Sequence, residues 1–375
     1  MVTRPNVVIV HDYLGQLGGA ERVVEEMCAV YPDAPVFTSF YAPDRTYASF
    51  RERDVRTTWL QHGPAIASRH KAYLPLYPLA FETMRLPPCD VVLSSSSAFA
   101  KGVHAPPGAV HICYCHAPAR FAWRYDDYVE REASVSPVLA AGLRPLMGAM
   151  RAWDVRTNRG VDMLIGNSEV TRRRIREYYG RESVLLYPPV DVDRFRVSED
   201  VEDFYLVISR LVGYKRVDLA VEAATLTGRH LVVAGEGPAR GQLEQTAGDT
   251  VEFLGRVPDE TVASLLSRCR ALLFCGEEDF GIVPVEAMAS GRPVIAYRAG
   301  GALETVQDGL TGVFFGDQTP ESLAGAMDEL EGSRIDRSAC TSRAFDFRPE
   351  VFRSGLRAIV DSELEKRGSA RLKEG

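Results

Sequence analysis

The sequence contains no run of about 20 uninterrupted apolar residues, so we expect no helix that spans a membrane. Its start, MVTRPNVVIVHDYL, lacks the long apolar stretch and small-residue cleavage site of a secretory signal peptide. Positive charge is not in excess, because 44 Lys and Arg residues stand against 51 Asp and Glu residues and give a net charge of -7. General nucleic-acid binding is therefore disfavoured, since it depends on cationic contacts with phosphates.

Cysteine is also scarce, with 7 among 375 residues and no CxxC pair. An odd number of cysteines in mostly apolar surroundings favours reduced core thiols, as in a cytoplasmic protein. The run HICYCH at 111–116 suggests a zinc site, but His111, Cys113 and Cys115 alternate along one strand face without paired CxxC spacing. We favour a packed strand over the zinc site and expect no bound metal.

The composition is that of a globular protein, with 46% apolar and 25% charged residues, and the length suffices for two domains. Short apolar runs rich in β-formers alternate with segments of helical period. This alternation is typical of parallel sheets covered by helices. The predicted strands are 7–10, 91–94, 110–115, 163–167, 205–209, 230–234, 251–254, 271–275 and 293–297.

The prolines of the segment 187–191 stop helix and restrict the backbone, so we place the connection between the domains there. The predicted domains are 1–187 and 188–347. The segment 348–375 is a C-terminal helix, regular over 351–366, with a polar tail that frays after residue 366. We therefore predict an α/β fold of two doubly wound, Rossmann-like domains that face each other across a cleft.

Four loops carry unusual residues where predicted strands lead into helices, which is where parallel sheets bind ligands. The first loop follows strand 7–10, and its Gly18 and Gly19 would let a ligand approach the backbone near a helix start. A tight strand-to-helix turn explains these glycines equally well. Another loop begins with His116, which projects into the cleft or is a buried structural histidine.

Two further loops lie in the second half of the chain. Arg210 and Lys215 could bind the diphosphate of a nucleotide sugar, or could belong to a solvated charged loop. Glu278 lies in a loop, and Glu286, eight positions later, lies in a helix whose first turn contains Pro284. This helix start offers unsatisfied N–H groups to a phosphate, and the two carboxylates suit sugar and ribose hydroxyls. Each carboxylate alone would also fit simple stabilisation of a helix dipole.

Together the four loops resemble the retaining, nucleotide-sugar-dependent glycosyltransferases of family 4, which have the two-domain GT-B fold. The strongest element is the E-x7-E pattern formed by Glu278 and Glu286. The supporting segments, in family order, are GGAE at 18–21, SRLVGYKR at 209–216, GEGP at 235–238 and DGLTG at 308–312.

The resemblance implies roles for the residues that match the family motifs. Arg210 and Lys215 would bind the donor diphosphate, Glu278 the transferred hexose, and His116 the hexose near its reacting carbon; these four are the expected catalytic residues. Glu286 would bind the ribose, and Gly19 would approach the diphosphate from the first domain. The other expected substrate-binding residues are Gly18, Gly237, Val257, Phe280, Gly281, Ile282 and Val283.

The resemblance also implies the mechanism. Family members retain the anomeric configuration, plausibly by front-side attack within an ion pair. They need no metal, and this sequence has no Asp-x-Asp cation motif in a suitable loop. The nucleotide sugar is thus a substrate and no cofactor is expected. The C-terminal helix is implied to cross back onto the first domain.

The expected donor and acceptor are inferred from individual segments of the sequence. Segments 94–103, 113–118, 277–286 and 297–306 look most like bacterial mannosyltransferases that use GDP-mannose. Segments 65–86 and 138–153 mix basic with apolar residues, which suits helices lying in a bilayer interface but also suits core helices. The second segment contains Leu139, Leu143, Leu146, Met147, Met150 and Trp153.

The arginines between 172 and 176 could meet a lipid diphosphate or form a solvated face. We therefore expect a lipid-linked or other glycan as the acceptor, and our hypothesis for the lipid carrier is a polyprenyl diphosphate. The expected location is cytoplasmic, with peripheral contact at the inner face of the cytoplasmic membrane. The alternatives are a sugar-nucleotide epimerase or isomerase on a related fold, and a noncatalytic glycosyltransferase-like subunit.

Overall fold

The computed structural model describes residues 4–125 and 137–374, with the side chains of 137–141 and 370–374 excepted. The described chain forms two compact units. The first contains 4–125, 137–189 and 349–374, and the second contains 190–348. The chain thus passes from one unit to the other directly after the two consecutive prolines, and it returns to the first unit for its last helix.

The described strands of the first unit form one sheet of order β3-β2-β1-β4-β5-β6-β7, and each strand pair is parallel. Its central strands are buried along their whole length, because helices cover both faces. The strands are β1 (Val7–His11), β2 (Val36–Thr38), β3 (Val55–Thr57), β4 (Val91–Ser96), β5 (Val110–Cys115), β6 (Met163–Gly166) and β7 (Val184–Leu185).

Alternate residues of β1 enter two different cores, as the period of a strand requires. Val7 and Ile9 pack with the core that includes Phe352 of the C-terminal helix, whereas Val8 and Val10 pack with Phe81 and its neighbours. The described α-helices are α1 (Gly19–Val30), α2 (Ile66–Arg69), α3 (Tyr77–Glu82), α4 (Arg120–Trp123), α5 (Pro137–Thr157) and α6 (Glu169–Tyr179).

The second unit contains a sheet of order β10-β9-β8-β11-β12-β13, again with parallel pairs. Its strands are β8 (Tyr205–Ile208), β9 (Leu231–Ala234), β10 (Val251–Gly255), β11 (Ala271–Phe274), β12 (Val294–Tyr297) and β13 (Gly312–Phe315). Its helices, together with the last helix of the first unit, are α7 (Val217–Thr227), α8 (Arg240–Thr246), α9 (Asp259–Arg268), α10 (Ile282–Ala289), α11 (Ala302–Thr305), α12 (Pro320–Gly332), α13 (Arg337–Phe345) and α14 (Pro349–Glu374).

The predicted fold class is confirmed, and all nine predicted strands are present, with ends within one residue of the prediction except that β4 continues two residues further, to Ser96. Four short strands, β2, β3, β7 and β13, were not predicted, because two to four residues carry little periodicity. Capping residues set both ends of helix α6: Ser168 accepts a hydrogen bond from the Thr171 amide, and Gly180 is left-handed with φ of 64°. The predicted fraying after residue 366 is wrong, since α14 continues to Glu374.

Each sheet has one point at which the direction of its strand order reverses. In the first unit the chain builds β1, β2 and β3 outward and then returns to the other side of β1 with β4. In the second unit the same reversal falls between β8 and β11. The loops that leave the carboxyl ends of these strands diverge to opposite faces of the sheet, so a crevice opens between them.

A buried ion pair connects three helices of the first unit. Lys101 and Asp154 are each 1% exposed and form an ion pair. The second carboxylate oxygen of Asp154 accepts hydrogen bonds of 2.7 Å from Trp123 Nε1 and from the Tyr179 hydroxyl. The Lys101 ammonium also donates to the Ala98 carbonyl. This network joins the loop after β4 to α4, α5 and α6.

Asp154→Ala should lower the free energy of unfolding of the first unit by about 3 to 5 kcal/mol, because it leaves the Lys101 charge buried and unpaired. All three tryptophans, at 59, 123 and 153, belong to this unit, so their fluorescence in a urea titration follows its unfolding. The double variant Lys101→Met, Asp154→Leu removes both charges and should restore most of the loss. Equal losses in the single and double variants would contradict the proposed cost of a lone charge.

Candidate functional site

The second unit brings two predicted site residues together at its strand-order reversal. Lys215 follows β8, Glu278 follows β11, and their ammonium and carboxylate groups form an ion pair. Both side chains are about one-fifth exposed, at 17% and 21%. Residues 63 positions apart in the sequence therefore meet at the carboxyl ends of two neighbouring strands, as the E-x7-E interpretation requires.

Glycines allow the loops around this pair to approach each other closely. A Cβ atom at Gly276 would lie 2.8 Å from the Tyr214 carbonyl and 2.9 Å from the Lys215 Cα, and one at Gly301 would lie 2.3 Å from the Phe280 Cα. The Gly301 amide donates to the Glu278 carbonyl at 2.8 Å. The Glu278 loop is thus packed between the Lys215 loop and the loop after β12.

Arg210 lies on the same loop as Lys215 but is exposed. Among the residues that the structure describes, its guanidinium forms no hydrogen bond or ion pair. A guanidinium has five N–H donors in a planar fork, which matches the oxygens of a phosphate. Arg210 therefore offers an unneutralised cation on the loop that also carries the ion-paired Lys215.

Helix α10 begins as predicted, with Pro284 in its first turn. Its N-cap, Gly281, has φ of 84°, a left-handed conformation that glycine adopts without the strain of a side chain. The amides of Ile282 and Val283 are among the first of the helix, which have no intrahelical acceptor. Phe280 differs, because its ring is buried and packs edge-on against Phe347 at 5.4 Å. Only the backbone of Phe280 can therefore serve a ligand.

Glu286 lies within α10 and is 18% exposed. The Arg194 guanidinium, from the segment after the domain connection, lies 3.7 Å from its carboxylate and also bonds Asp259 at 2.7 Å. Arg194 was not among the predicted residues. Its Nε atom is buried and has no hydrogen-bond partner in the described part of the chain, so Arg194 is oriented mainly by these two carboxylates.

Gly237 and Val257 follow the neighbouring strands β9 and β10. A Cβ atom at Gly237 would lie 2.2 Å from the Leu211 carbonyl, so this glycine is required by the packing of the Arg210 loop. The Gly235 amide donates to the Gly255 carbonyl at 2.8 Å, which joins the two loops. Val257 is half-buried beside them. The expected contacts of Gly237 and Val257 with a nucleotide remain predictions.

In the first unit, Asp12 immediately follows β1 and is buried. Its two carboxylate oxygens accept four backbone hydrogen bonds of 2.6 to 3.1 Å from Ser97, Ala98, Phe99 and Ala100. A carboxylate that accepts several amides rigidly joins the two segments that carry them. Asp12 therefore fixes the loop after β1 to the loop after β4, at the strand-order reversal of this sheet.

His116 follows β5 and is half-buried. Its Nε2 lies 2.8 Å from the Ser95 hydroxyl, and its ring packs edge-on against Tyr114 at 5.1 Å. The Thr171 hydroxyl donates to its carbonyl at 3.3 Å. Burial and, to a smaller extent, the charge of His11 together lower the pKa of His116 to about 3, so the ring is neutral near pH 7.

The glycines of the first loop have a structural reason of their own. A Cβ atom at Gly18 would lie 2.6 Å from the Glu21 carboxylate. Gly19 begins α1, as predicted to within one residue, and Gly18 is its N-cap. The tight-turn interpretation thus explains Gly18, while its predicted contact with a ligand is untested.

The zinc interpretation of the HICYCH run does not match the directions of its side chains. His111 Nε2 bonds the Ser94 hydroxyl at 2.8 Å, whereas His116 Nε2 bonds Ser95, the next residue of β4. Cys113 and Cys115 pack in an apolar cluster with Ile175. Six of the seven cysteines are buried and all are free thiols, as expected. Among the described residues, no group of three or more His, Cys, Asp or Glu side chains is arranged to bind a metal.

The two segments predicted to contact an acceptor, 65–86 and 138–153, differ in how deeply their apolar side chains are buried. Met147, Met150 and Trp153 are buried in the core of the first unit, which is the core-helix alternative. The side chain of Leu139 lies outside the described residues. Leu76 and Leu79 of the earlier segment are exposed, at 40% and 53%. In the described part of the chain, no helix combines the length and apolarity needed to cross a bilayer.

The arginines of α6 mostly have partners close in the sequence. Arg172 pairs with Glu169 at 2.6 Å, and Arg176 bonds both carboxylate oxygens of Glu182 at 2.8 Å. Paired surface charges of this kind are the solvated-face alternative. Arg173 is exposed.

Sequence reasoning did not identify the roles of His11, Asp12, Ser95 and Arg194. The signal for three of them was present, since a His-Asp pair and a run of four serines each lie at the carboxyl end of a buried strand. Their pairing is a matter of register, because β1 and β4 align His11 with Ser95. Nothing in the sequence near Arg194 indicates its contact with Glu286, 92 positions later.

Chemically, the second unit can bind an anion with sugar hydroxyls attached. Two cationic side chains and the amides at the start of α10 supply positive potential, and Glu278 and Glu286 supply acceptors for hydroxyl groups. The first unit supplies a neutral imidazole on a rigid, buried support. No nucleophile with an adjacent base is needed for such a site to stabilise a departing phosphate.

Comparison with known proteins agrees with this chemistry. The family model described as "Glycosyltransferase Family 4" matches residues 17–194, and the one described as "Glycosyl transferases group 1" matches residues 191–347. Human alpha-1,3/1,6-mannosyltransferase ALG2 is 29% identical over 97% of this chain and 97% of its own length. The GDP-mannose-dependent alpha-(1-6)-phosphatidylinositol monomannoside mannosyltransferase of Mycobacterium tuberculosis is 32% identical over 46% of this chain and 53% of its own.

The fold has a counterpart among solved structures. Anabaena Alr3699/HepE in complex with UDP-glucose aligns with a TM-score of 0.70 and 19% identity, over 95% of this chain and 100% of its own. At this identity the likeness concerns the fold alone. Because the two family models together span the motif-bearing loops of both units, the chain belongs to the family 4 glycosyltransferases of GT-B fold and is a glycosyltransferase.

Proposed function

We propose that this glycosyltransferase transfers mannose from GDP-mannose, with retention of the anomeric configuration, to a lipid-linked glycan. The observation that carries the proposal is the Lys215–Glu278 pair beside exposed Arg210 and the start of α10. This arrangement combines cations for a diphosphate with a carboxylate for a sugar hydroxyl in one crevice of the second unit.

In this proposal the diphosphate binds Arg210, Lys215 and the amides of Ile282 and Val283. Lys215 exchanges part of its interaction with Glu278 for the phosphate oxygens, and Glu278 then accepts from a hydroxyl of the hexose. Glu286, oriented by Arg194, accepts from the ribose hydroxyls. For the first unit, the contact of His116 with the hexose remains the role that the family resemblance predicts.

Charge development explains how these groups would accelerate transfer. As the bond between the anomeric carbon and the phosphate oxygen breaks, the carbon becomes oxocarbenium-like and negative charge grows on the departing diphosphate. Preorganised cations and amides stabilise that charge more than they stabilise the bound donor. They supply the positive potential that a divalent cation provides in other phosphate sites, so we propose that transfer needs no metal.

The names of the relatives support the choice of donor. The human relative is a mannosyltransferase, and the mycobacterial relative is named as GDP-mannose-dependent. The solved structure with a similar fold contains UDP-glucose, which supports a nucleotide sugar without deciding its base or sugar. Both names support mannose as the transferred sugar, and the mycobacterial name supports GDP-mannose as its donor.

A lipid-linked acceptor is supported by the surface of the first unit. Trp59, Leu76 and Leu79 are exposed apolar side chains on short helical segments that contact one another, and exposed Arg69 lies on α2 among them. Apolar side chains beside basic ones suit the interface of an anionic bilayer. We propose peripheral contact there, at the cytoplasmic face of the membrane.

The donor is tested by measuring which nucleotide sugar raises the melting temperature. GDP-mannose at 100 times its Kd should stabilise the protein by about 2.7 kcal/mol, whereas UDP-glucose at the same concentration should not. With an acceptor, the product should carry an α-mannosyl residue, and EDTA should leave the rate unchanged. Stabilisation by UDP-glucose alone would contradict the donor, and an isomerised nucleotide sugar formed without acceptor would indicate an epimerase.

The cations are tested by substitution. Lys215→Met should lower kcat by about 100- to 1,000-fold, since it removes one preorganised group from the developing charge. Arg210→Met should act in the same direction and weaken binding of GDP. Lys366→Met is the matched control, because this lysine is 63% exposed on α14 and, within the described residues, pairs with Glu363 one helical turn away. An unchanged kcat in both Lys215→Met and Arg210→Met would contradict the proposed role of these cations, whereas absence of any transfer by the wild type would favour a noncatalytic subunit.

Membrane contact is tested by sedimentation with vesicles of phosphatidylglycerol at low salt. The protein should bind and should be released at high ionic strength, because basic side chains contribute to the contact. Leu76→Ser with Leu79→Ser should weaken vesicle binding by more than about tenfold, since two exposed leucines that would become buried in the bilayer interface are lost. Leu226→Ser, at a leucine 61% exposed in the second unit, is the control. Absence of binding by the wild type would remove the peripheral contact from the proposal.

A further inference from the structure

A continuous chain of polar side chains leads from the interior of the first unit to His116. Glu21 Oε1 lies 3.7 Å from His11 Nε2. His11 Nδ1 lies 3.1 Å from both the carbonyl oxygen and the hydroxyl of Ser95. The Ser95 hydroxyl in turn lies 2.8 Å from His116 Nε2. Glu21, His11 and Ser95 are buried, and none of them is among the expected site residues.

The carbonyl of Ser95 decides where the proton on His11 lies. A carbonyl oxygen can only accept a hydrogen bond, so His11 Nδ1 at 3.1 Å must carry a hydrogen. Glu21 on the other side of the ring favours the protonated form. Burial lowers the pKa of His11, but the Glu21 carboxylate 3.7 Å from Nε2, with the charge of Asp12, outweighs it and raises the pKa.

The proton on His11 also determines the direction of the next hydrogen bond, the one between Ser95 and His116. Since His11 Nδ1 carries a hydrogen, the hydroxyl oxygen of Ser95 can only accept a hydrogen bond from it. The hydrogen of that hydroxyl is therefore left for another acceptor. Within the described residues, the one polar atom besides His11 that bonds this hydroxyl is His116 Nε2. If His116 Nε2 also donated to Ser95, the buried hydroxyl hydrogen would have no acceptor among the described residues, which is costly. The arrangement that satisfies every hydrogen therefore leaves His116 Nε2 unprotonated and places the hydrogen of the neutral ring on Nδ1.

His116 Nδ1 has no hydrogen-bond partner among the described residues, although the ring is positioned on several sides. Tyr114 packs against it, Ser95 bonds Nε2, and Thr171 bonds its carbonyl. An imidazole oriented in this way presents an N–H donor at Nδ1 with little rotational freedom. Such a donor suits an oxygen atom, which is what a sugar hydroxyl or a phosphate presents.

We propose that Ser95, oriented by His11 and Glu21, is a positioning residue that fixes His116 as the Nδ1–H tautomer. His116 then acts toward the substrate as a hydrogen-bond donor and not as a general base. That a sugar oxygen is the acceptor rests on the proposed function, whereas the tautomer follows from the first unit alone. His11, the other histidine of this hydrogen-bonded series, also gains a role, because its Nδ1–H prevents the Ser95 hydroxyl from donating toward the interior.

Nitrogen-15 NMR of the wild-type protein tests the tautomer without any substrate. The protein has 7 histidines, and the His116 signals are assigned by their loss in His116→Asn. We expect a neutral His116 with Nδ1 protonated from pH 6 to 8. A His116 protonated on Nε2, or on both nitrogens, would overturn the inference, whatever the activity of the protein.

Ser95→Ala tests the positioning. The NMR signals of His116 should become those of a mixture of tautomers, and kcat should fall roughly tenfold with the KM for the donor nearly unchanged, because one oriented hydrogen bond is lost. Ser94→Ala is the matched control, since it removes a 2.8 Å serine–histidine bond from the neighbouring position of β4 and leaves His116 untouched. It should leave both kcat and the His116 signals unchanged.

The two possible failures are distinguishable. If His116→Asn leaves kcat unchanged, the proposed contact of His116 with the hexose is wrong, while the NMR spectrum still decides the tautomer. If His116→Asn lowers kcat but Ser95→Ala changes neither the spectrum nor kcat, Ser95 does not position His116 and the inference is overturned. Equal losses in Ser94→Ala and Ser95→Ala would show a general effect on the stability of β4, and would also overturn it.

Discussion

The parallel pairing of the strands is the constraint on which the rest of this molecule depends. Because the strands of a sheet run in one direction, all of their carboxyl ends lie at one edge, and the loops with functional residues leave from that edge. The reversal of strand order in each sheet then brings two of these loops face to face. His11 and Ser95 meet in the first unit for the same reason that Lys215 and Glu278 meet in the second.

Rigid support behind these loops is the second common feature. The Asp12 carboxylate accepts hydrogen bonds from four backbone amides. Glycines at 237, 276 and 301 let one loop pack directly on the backbone of another. Side chains aimed at a ligand are therefore connected to a backbone with little freedom. Preorganisation of this kind is what makes a cation or an N–H donor effective on a charge that appears only during the reaction.

Much of the fold and part of the site could be predicted from residue patterns. Buried strands such as β1, β5 and β11 are apolar runs of four or more residues between loops, and this pattern is legible without tertiary contacts. Arg210, Lys215, Glu278 and Glu286 were recognisable by their motif spacing. The short strands β2 and β7, and the true length of α14, were not, since they depend on pairing and packing with distant segments.

Local order along the chain thus determined which residues form strands, where helices begin, and which loops bear charged side chains. Tertiary structure alone decided which of those loops meet. The register between β1 and β4 placed His11 opposite Ser95, 84 positions later, and the contact of His11 Nδ1 with the Ser95 carbonyl gives the proposed direction of the hydrogen bond that ends at His116. Direction and pairing of this kind come from atoms of different strands brought together by the sheet, and such contacts have no local signature.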